Sequence, residues 1–268
     1  MRLGPPLLYA ATAGGLALAA PTAVGHAPGL GAIVGYLGAY LGVVALGSVS
    51  PGLAMWGPVR SRVAGGRGVA LTFDDGPHPV HTRTVARALE AVGARATFFA
   101  IGEKVRDNAE LLRELAASGH EIGIHGHRID RFLGFRGRRA AREDLARAVD
   151  ALENALGTRP TLFRPPYGVT TPHIARAARE LELEVIGWSA RALDGLASTT
   201  SERAVRRVLA GARDGAIVCM HDAHERGDAA PAGVLALADV LAAMRARGLA
   251  CVTVTALVGS RRARGVVA

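Results

Sequence analysis

Lysine is almost missing from this chain: Lys104 is the only one in 268 residues, although the formal net charge is +9. The cations are arginines scattered along amphipathic segments, with no aromatic residues interleaved among them, and that pattern argues against a nucleic-acid-binding face. Their densest group, Arg136, Arg138, Arg139 and Arg142, reads as a solvated helix face, with anionic headgroups or an acidic glycan as the alternative contact. Aromatic residues make up 4% of the chain, which argues against a long glycan groove built from stacking platforms. Cysteine is limited to Cys219 and Cys251, so no disulfide framework is implied. Both lie in apolar, strand-like runs where a reduced core thiol is expected. No internal repeat is evident.

Charge is absent from residues 3–59, which hold no Asp, Glu, Lys or Arg. Two apolar runs, 7–24 and 30–49, fall in that stretch. Each is near the roughly 20 residues that a bilayer-spanning helix needs, and residues 25–29, with His26 and Pro28, form a tight connection. Gly31 and Gly35, and again Gly38 and Gly42, stand four apart, a spacing that lets membrane helices approach closely. The competing reading is a cleaved signal peptide with Ala17-Leu18-Ala19 at the cleavage site. Arg2 alone makes a thin positive region, and the second run does not fit simple secretion, so a two-span hairpin in the cell membrane is expected. The side on which the domain lies stays open. Arg2 on one flank and Arg60, Arg62 and Arg67 on the other favour the cytoplasm, whereas a substrate outside the cell would favour the outside.

The expected organisation is an anchor over residues 1–50, a linker over 51–68, a domain over 69–257 and a basic tail over 258–268. Within the domain, short apolar runs at 69–73, 96–100, 121–124, 162–164, 185–188, 216–220 and 250–254 alternate with amphipathic helical patterns at 80–92, 108–118, 138–156, 172–183, 201–211 and 232–247. Strand–helix alternation means a parallel sheet with helices packed outside it. Seven units predict an α/β fold in the form of an incomplete, distorted parallel (β/α)7 barrel.

The first of these runs ends in Leu71-Thr72-Phe73-Asp74-Asp75-Gly76-Pro77. Adjacent side chains leaving a strand end point in different directions, so one carboxylate can hold a cation while its neighbour faces a substrate. Two neighbouring negative charges also call for a metal or an arginine to compensate them. Further on come Glu121-Ile122-Gly123-Ile124-His125, Arg164-Pro165-Pro166-Tyr167-Gly168, Trp188 with Asp194, and Ile217-Val218-Cys219-Met220-His221-Asp222. Asp74, Asp75, His125, Arg164, Trp188 and His221 all fall at or just after the C-terminal ends of strand runs, the face where barrel active sites collect. His78 and His81 read as helix-start residues.

This ordered set resembles the polysaccharide deacetylase family, the NodB-homology carbohydrate esterases, over about residues 69–254. The resemblance implies a metal-dependent hydrolase that removes N-acetyl, or O-acetyl, groups from a carbohydrate. It makes Asp74 the base that deprotonates water and Arg164 the cation that keeps that base ionised. Asp75 and His125 become metal ligands, His221 the acid for the leaving group, and Asp194 its orienting carboxylate. Tyr167 falls where a backbone N–H helps bind the oxyanion, and Trp188 and Met220 where the acyl methyl is received; for all three, core packing competes. The implied cofactor is a divalent metal, zinc first, with cobalt, nickel or manganese as alternatives. The implied partner is an acetylated glycan or glycolipid, with membrane contact through the hairpin and no nucleic acid.

One position breaks the family pattern. A second ligating histidine belongs four residues after His125, and that residue is Ile129. Three readings follow: His127 or Asp130 replaces the ligand, the ion is held weakly by Asp75, His125 and water, or the site is degraded. The alternative function is therefore a catalytically impaired glycan-binding homologue.

Overall fold

The computed structural model describes residues 3–196 and 198–262. Two helices come first, α1 (Gly4–Ala19) and α2 (Leu30–Val49). There follow β1 (Val69–Asp74), α3 (His81–Glu90), β2 (Thr97–Ala100), α4 (Gly102–Val105), α5 (Ala109–Ala117), β3 (Glu121–Ile124) and α6 (Arg138–Leu156). The chain continues through β4 (Leu162–Phe163), α7 (Pro172–Glu180), β5 (Glu184–Val185), β6 (Ala190–Arg191), α8 (Ser201–Gly211) and β7 (Ala216–His221). It closes with α9 (Ala232–Ala246), β8 (Cys251–Val252) and α10 (Val254–Arg262).

All strand pairs are parallel, in the order β5-β4-β3-β2-β1-β7-β6, with β8 paired to the base of β1. The result is a curled α/β half-barrel. Seven strand runs were expected; β6 is an additional two-residue strand, and the run expected at 185–188 pairs only over Glu184–Val185. Ile186 N–H still donates to Phe163 O of β4 (2.8 Å), and beyond it the opening between β5 and β6 is filled by the segment before β1. There Arg60 N–H donates to Val185 O (2.9 Å), Gly187 N–H donates to Arg60 O (3.0 Å), and Arg62 bridges Ala216. Residues 58–62 thus act as a surrogate strand rather than a loose tether.

Strand parity sorts the core into two layers. Leu71 and Phe73 on β1 and Val218 and Met220 on β7 face the helices, in one cluster with Leu89, Leu145 and Leu237. Ala70 and Ile217 face the barrel interior with Phe99, Leu162 and Ile186. Neighbouring parallel strands in register present side chains to the same face. The β1–β7 register aligns Thr72 with Cys219 and Asp74 with His221, so all four belong to the interior.

The two N-terminal helices pack at glycine: a Cβ on Gly15 would lie within 3 Å of the Tyr36 ring, whose hydroxyl donates to Ala11 O (2.7 Å). This corrects the expectation for Gly31, Gly35, Gly38 and Gly42, which face open space. Among the described residues only α2 is long and apolar enough to cross a bilayer, because α1 stops at Ala19 and the chain then tightens into a turn over Ala20–Val24. The end of α2 is fixed to the domain. Thr170 N–H donates to Ser48 O (2.8 Å), Trp56 Nε1 donates to Ser48 Oγ (3.0 Å), and Pro51 sits against Gly168 and Gly187.

Candidate active site

A cavity of about 650 Å3 opens at the C-terminal end of the strands. Its floor is built by β1 and β7, which deliver Asp74, Cys219 and His221 side by side. One ligand atom from each of these three lies within 4.8 Å of the others. Asp75 follows in the left-handed region (φ 72°), where an aspartate is tolerated better than most residues. That turn sends its carboxylate away from Asp74's and toward His125.

Arg164 is the largest side chain with no solvent exposure. It donates to Asp74 Oδ1 (2.8 Å), Thr72 Oγ1 (2.6 Å) and Gly187 O (3.0 Å), and its guanidinium lies 4.2 Å from the centre of the Phe99 ring. With Nε directed at Ile186 O (3.4 Å), all three nitrogens of the planar fork are engaged, which suits arginine and not lysine. Burial works to raise the Asp74 pKa, but the charges of Arg164, His125 and His221 outweigh it and hold the carboxyl below its ordinary value. Asp74 is therefore an ionised, desolvated carboxylate. For Asp75 the balance reverses: burial wins over the attraction of His125 and His221, and its pKa is raised.

His221 is the complement. Its Nδ1–H donates to Asp194 Oδ1 (2.8 Å), and its backbone N–H donates to Asp194 Oδ2 (2.9 Å). Burial pulls its pKa down, but the hydrogen bond and charge of Asp194, with Asp74 and Asp75 behind, push it up to about 9. The imidazolium thus carries a proton at neutral pH, poised as an acid. Because the folded pKa is raised, the stability it contributes is full below about pH 6.5, the ordinary histidine value, and is lost as pH rises through about 9. Asp194→Asn is expected to move the alkaline limb of the activity profile down toward 6.5, and thermal melts across pH 6–10 are expected to lose the same transition. An alkaline limb unmoved by the substitution would remove Asp194 from this role. Asp194 has room only because residue 233 is glycine: a Cβ there would lie 2.0 Å from its carboxylate.

His125 donates from Nδ1–H to Arg164 O (2.8 Å), since a carbonyl can only accept. Its Nε2 faces Asp75 Oδ1, 3.6 Å away. Ile129 also lines the cavity. The two candidate substitutes do not join the pair. His127 lies in a separate cleft with Gly102, Glu103 and Val105, and its backbone N–H donates to Asp144 (2.9 Å). The positive φ of Gly126 (89°) makes the turn that separates its ring from that of His125. Asp130 reaches the cavity wall, but its carboxylate accepts from Arg136 Nε (2.6 Å) and Phe132 N–H (2.8 Å).

Trp188 and Tyr167 line the cavity, and the Tyr167 hydroxyl donates to Glu225 (2.6 Å). Met220 does not: it lies one residue off the interior parity, in the helix-facing core with no solvent exposure. Cys219 was expected only as a core thiol, yet its Sγ stands 3.4 Å from Asp74 Oδ2, and burial followed by Asp74's charge keeps it protonated. Its spacing of two from His221 on one strand was the available signal. Lys104 was also unmarked. Its ammonium donates to Asp75 O (2.8 Å) and His224 O (3.1 Å), tying the loop after β1 to the loop after β7. Asp222, buried behind them, accepts from Thr82, and burial pushes its pKa up to about 7. At the helix start, His78 accepts from the N–H groups of Val80 and His81 (3.2 Å each).

Fold and site together define a curled parallel half-barrel with an ionised aspartate and a protonated histidine at its strand-end mouth. The family profile described as polysaccharide deacetylase matches residues 62–186. The chain is 36% identical over 169 residues to a chitooligosaccharide deacetylase of Bradyrhizobium, covering 62% of this chain and 75% of that one. It is 32% identical over 193 residues to the peptidoglycan-N-acetylglucosamine deacetylase PgdA of Listeria monocytogenes, 72% of this chain and 39% of that protein. The chain thus spans about two-fifths of that relative's length. Among solved structures, a family 4 acetyl xylan esterase from Clostridium thermocellum in complex with a cobalt ion superposes with a TM-score of 0.64 at 33% identity, covering 70% of this chain and 89% of that one. The chain belongs to the polysaccharide deacetylase family.

Proposed function

We propose that this protein is a membrane-held hydrolase that removes an acetyl group from an N-acetylated sugar, assisted by a divalent cation beside Asp75 and His125. The observation that carries the reading is the convergence, on one cavity, of a base held ionised by Arg164 and an acid held protonated by Asp194. Groups driven apart in this way mark the acid and base of a hydrolytic site. Asp74 takes the proton from the attacking water, and His221 returns one to the departing amine. Arg164 keeps Asp74 charged in a place where burial alone would neutralise it.

Two donors fit a cation: the Asp75 carboxylate and the Nε2 lone pair of His125, on one wall of the cavity. A carboxylate and an imidazole suit zinc, and cobalt accepts the same set. When bound, such an ion supplies Lewis acidity to the acyl oxygen and to the water. The third protein donor is lacking, because Ile129 presents hydrocarbon to the cavity. Relatives that carry names for chitooligosaccharide and peptidoglycan deacetylation support an acetylated amino sugar as the substrate class.

The test is acetate release by the full chain in detergent or bilayers, from N-acetylated oligosaccharides and from lipid-linked N-acetyl sugars, with chelator and with added zinc or cobalt. Metal-restored release supports the proposal; no release under any of these conditions overturns it. The impaired, glycan-binding reading is favoured by one specific observation, the side chain of Ile129 on the cavity wall. Ile129→His separates the two. If a missing donor is all that weakens the site, metal affinity by calorimetry is expected to rise at least tenfold, about 1.4 kcal/mol, and acetate release to rise with it. A variant that binds metal tightly without any turnover favours the impaired reading.

A further inference from the structure

The exposed apolar side chains of the domain are not spread evenly. Among the described residues beyond 50, seven large apolar side chains are exposed: Val80, Val92, Phe132, Phe135, Tyr167, Leu196 and Leu235. Three of these, Phe132 (60%), Tyr167 (49%) and Leu196 (54%), line the cavity, and Phe135 (73%) ends the helical turn that follows Phe132. Exposed leucines are ordinary when single; a cluster around one opening signals a partner surface.

The loop that carries the two phenylalanines is fixed close to the end of α2. Thr171 Oγ1 donates to Gly134 O (3.2 Å), and a Cβ on Gly134 would lie 2.5 Å from the Thr171 methyl. The adjoining residue, Thr170, donates its N–H to Ser48 O, one residue before the end of α2. On the other wall, Pro51 packs on Gly168 and Gly187, next to the cavity residues Tyr167 and Trp188. The mouth and the end of a 20-residue apolar helix are therefore neighbours. Around that mouth stand arginines: Arg131 lies 5.5 Å from the centre of the Tyr167 ring, Arg191 lines the cavity, and Arg226 lines it within 3.8 Å of the Glu225 carboxylate. Among the described residues Arg191 makes no ion pair.

From this arrangement we propose that the 131–136 loop, with Leu196 opposite, docks on an anionic bilayer surface, so that the cavity opens onto the membrane and receives a sugar carried on a lipid phosphate. Phenylalanine and leucine beside arginine are the composition of an interfacial anchor. Arginines at such a surface are attracted by anionic headgroups, and their planar donor forks match phosphate oxygens. A bilayer is favoured over a second protein because the surface continues the end of α2 and presents Arg191, which among the described residues no carboxylate neutralises. The docking stands on this geometry alone; the sugar cargo rests on the deacetylase reading.

The full chain, reconstituted in nanodiscs of phosphatidylcholine with or without phosphatidylglycerol, tests the two parts separately. Phe135→Cys in a Cys251→Ser background carries an environment-sensitive fluorophore, with Glu90→Cys at the far end of the barrel as control. The expected result is that the label at 135, and not at 90, is shielded from an aqueous quencher, more strongly with phosphatidylglycerol. Equal quenching at both positions overturns the docking, as does shielding at 135 that depends on protein concentration instead of lipid, which would mark a contact between copies. In the second arm, Phe135→Ser is expected to lower turnover of a bilayer-borne N-acetyl-sugar phosphate lipid roughly tenfold, from the lost burial of one phenyl ring, with release from a soluble chitooligosaccharide unchanged. Equal loss on both substrates overturns the lipid cargo. Absence of acetate release from every substrate overturns the deacetylase reading and with it the cargo, while the quenching result still decides the docking.

Discussion

Asp74→Asn is expected to lower acetate release by about 10²–10⁴, the range a positioned general base supplies, with His221→Ala close behind. The asparagine keeps the shape and one acceptor for Arg164, but it cannot take a proton. It also strips the compensating charge from a guanidinium that has no solvent exposure. The variant is therefore expected to lose stability as well as activity, and the two effects need separate measurement. Circular dichroism at the assay temperature establishes that the domain is folded, and kcat is then read on folded protein. A folded Asp74→Asn variant with wild-type kcat would end the assignment of Asp74 as base, whatever its proximity to His221.

The largest stability effect is expected at Arg164. Arg164→Ala leaves the Asp74 carboxylate buried without its cation, frees the carbonyls of Ile186 and Gly187, and opens a void beneath Phe99. Removing one partner of a buried ion pair costs about 3–5 kcal/mol, a large fraction of the 5–15 kcal/mol that holds a domain folded. Urea denaturation is expected to show the midpoint falling by that amount divided by the m-value. A change below about 1 kcal/mol would mean that the guanidinium is not what closes the barrel interior. Arg164→Lys isolates geometry from charge: one ammonium cannot reach Thr72, Asp74 and Gly187 together. Failure of the lysine variant to restore stability is the outcome that planar, multidentate bonding requires.

Where these residues meet was legible in the chain to an uneven degree. Strand–helix alternation placed the parallel half-barrel, and α6 and α8 occupy the expected spans of 138–156 and 201–211. Asp74, Asp75, His125, Arg164 and His221 stand at strand ends, where backbone direction alone fixes their end of the barrel. Met220 was misplaced because sequence proximity to His221 ignores the two-residue period of a strand. Cys219 was overlooked for the same reason in reverse. Lys104 and Gly233 carried no local signal, since their roles depend on contacts with chain segments far away in sequence.

The amino-acid order by itself determined the strand and helix periodicity, the charge-free N-terminal stretch, and the absence of a second histidine four residues after His125. These are properties of spacing and residue type, and no partner is needed to set them. Tertiary structure alone decided that His127 turns into another cleft, that Asp130 is engaged by Arg136, and that the cavity mouth lies beside the end of α2. The first two depend on how one loop folds, with the positive φ of Gly126 and the Asp130–Arg136 pair, and the last on which distant segments share space once the sheet has curled, which close packing fixes in three dimensions.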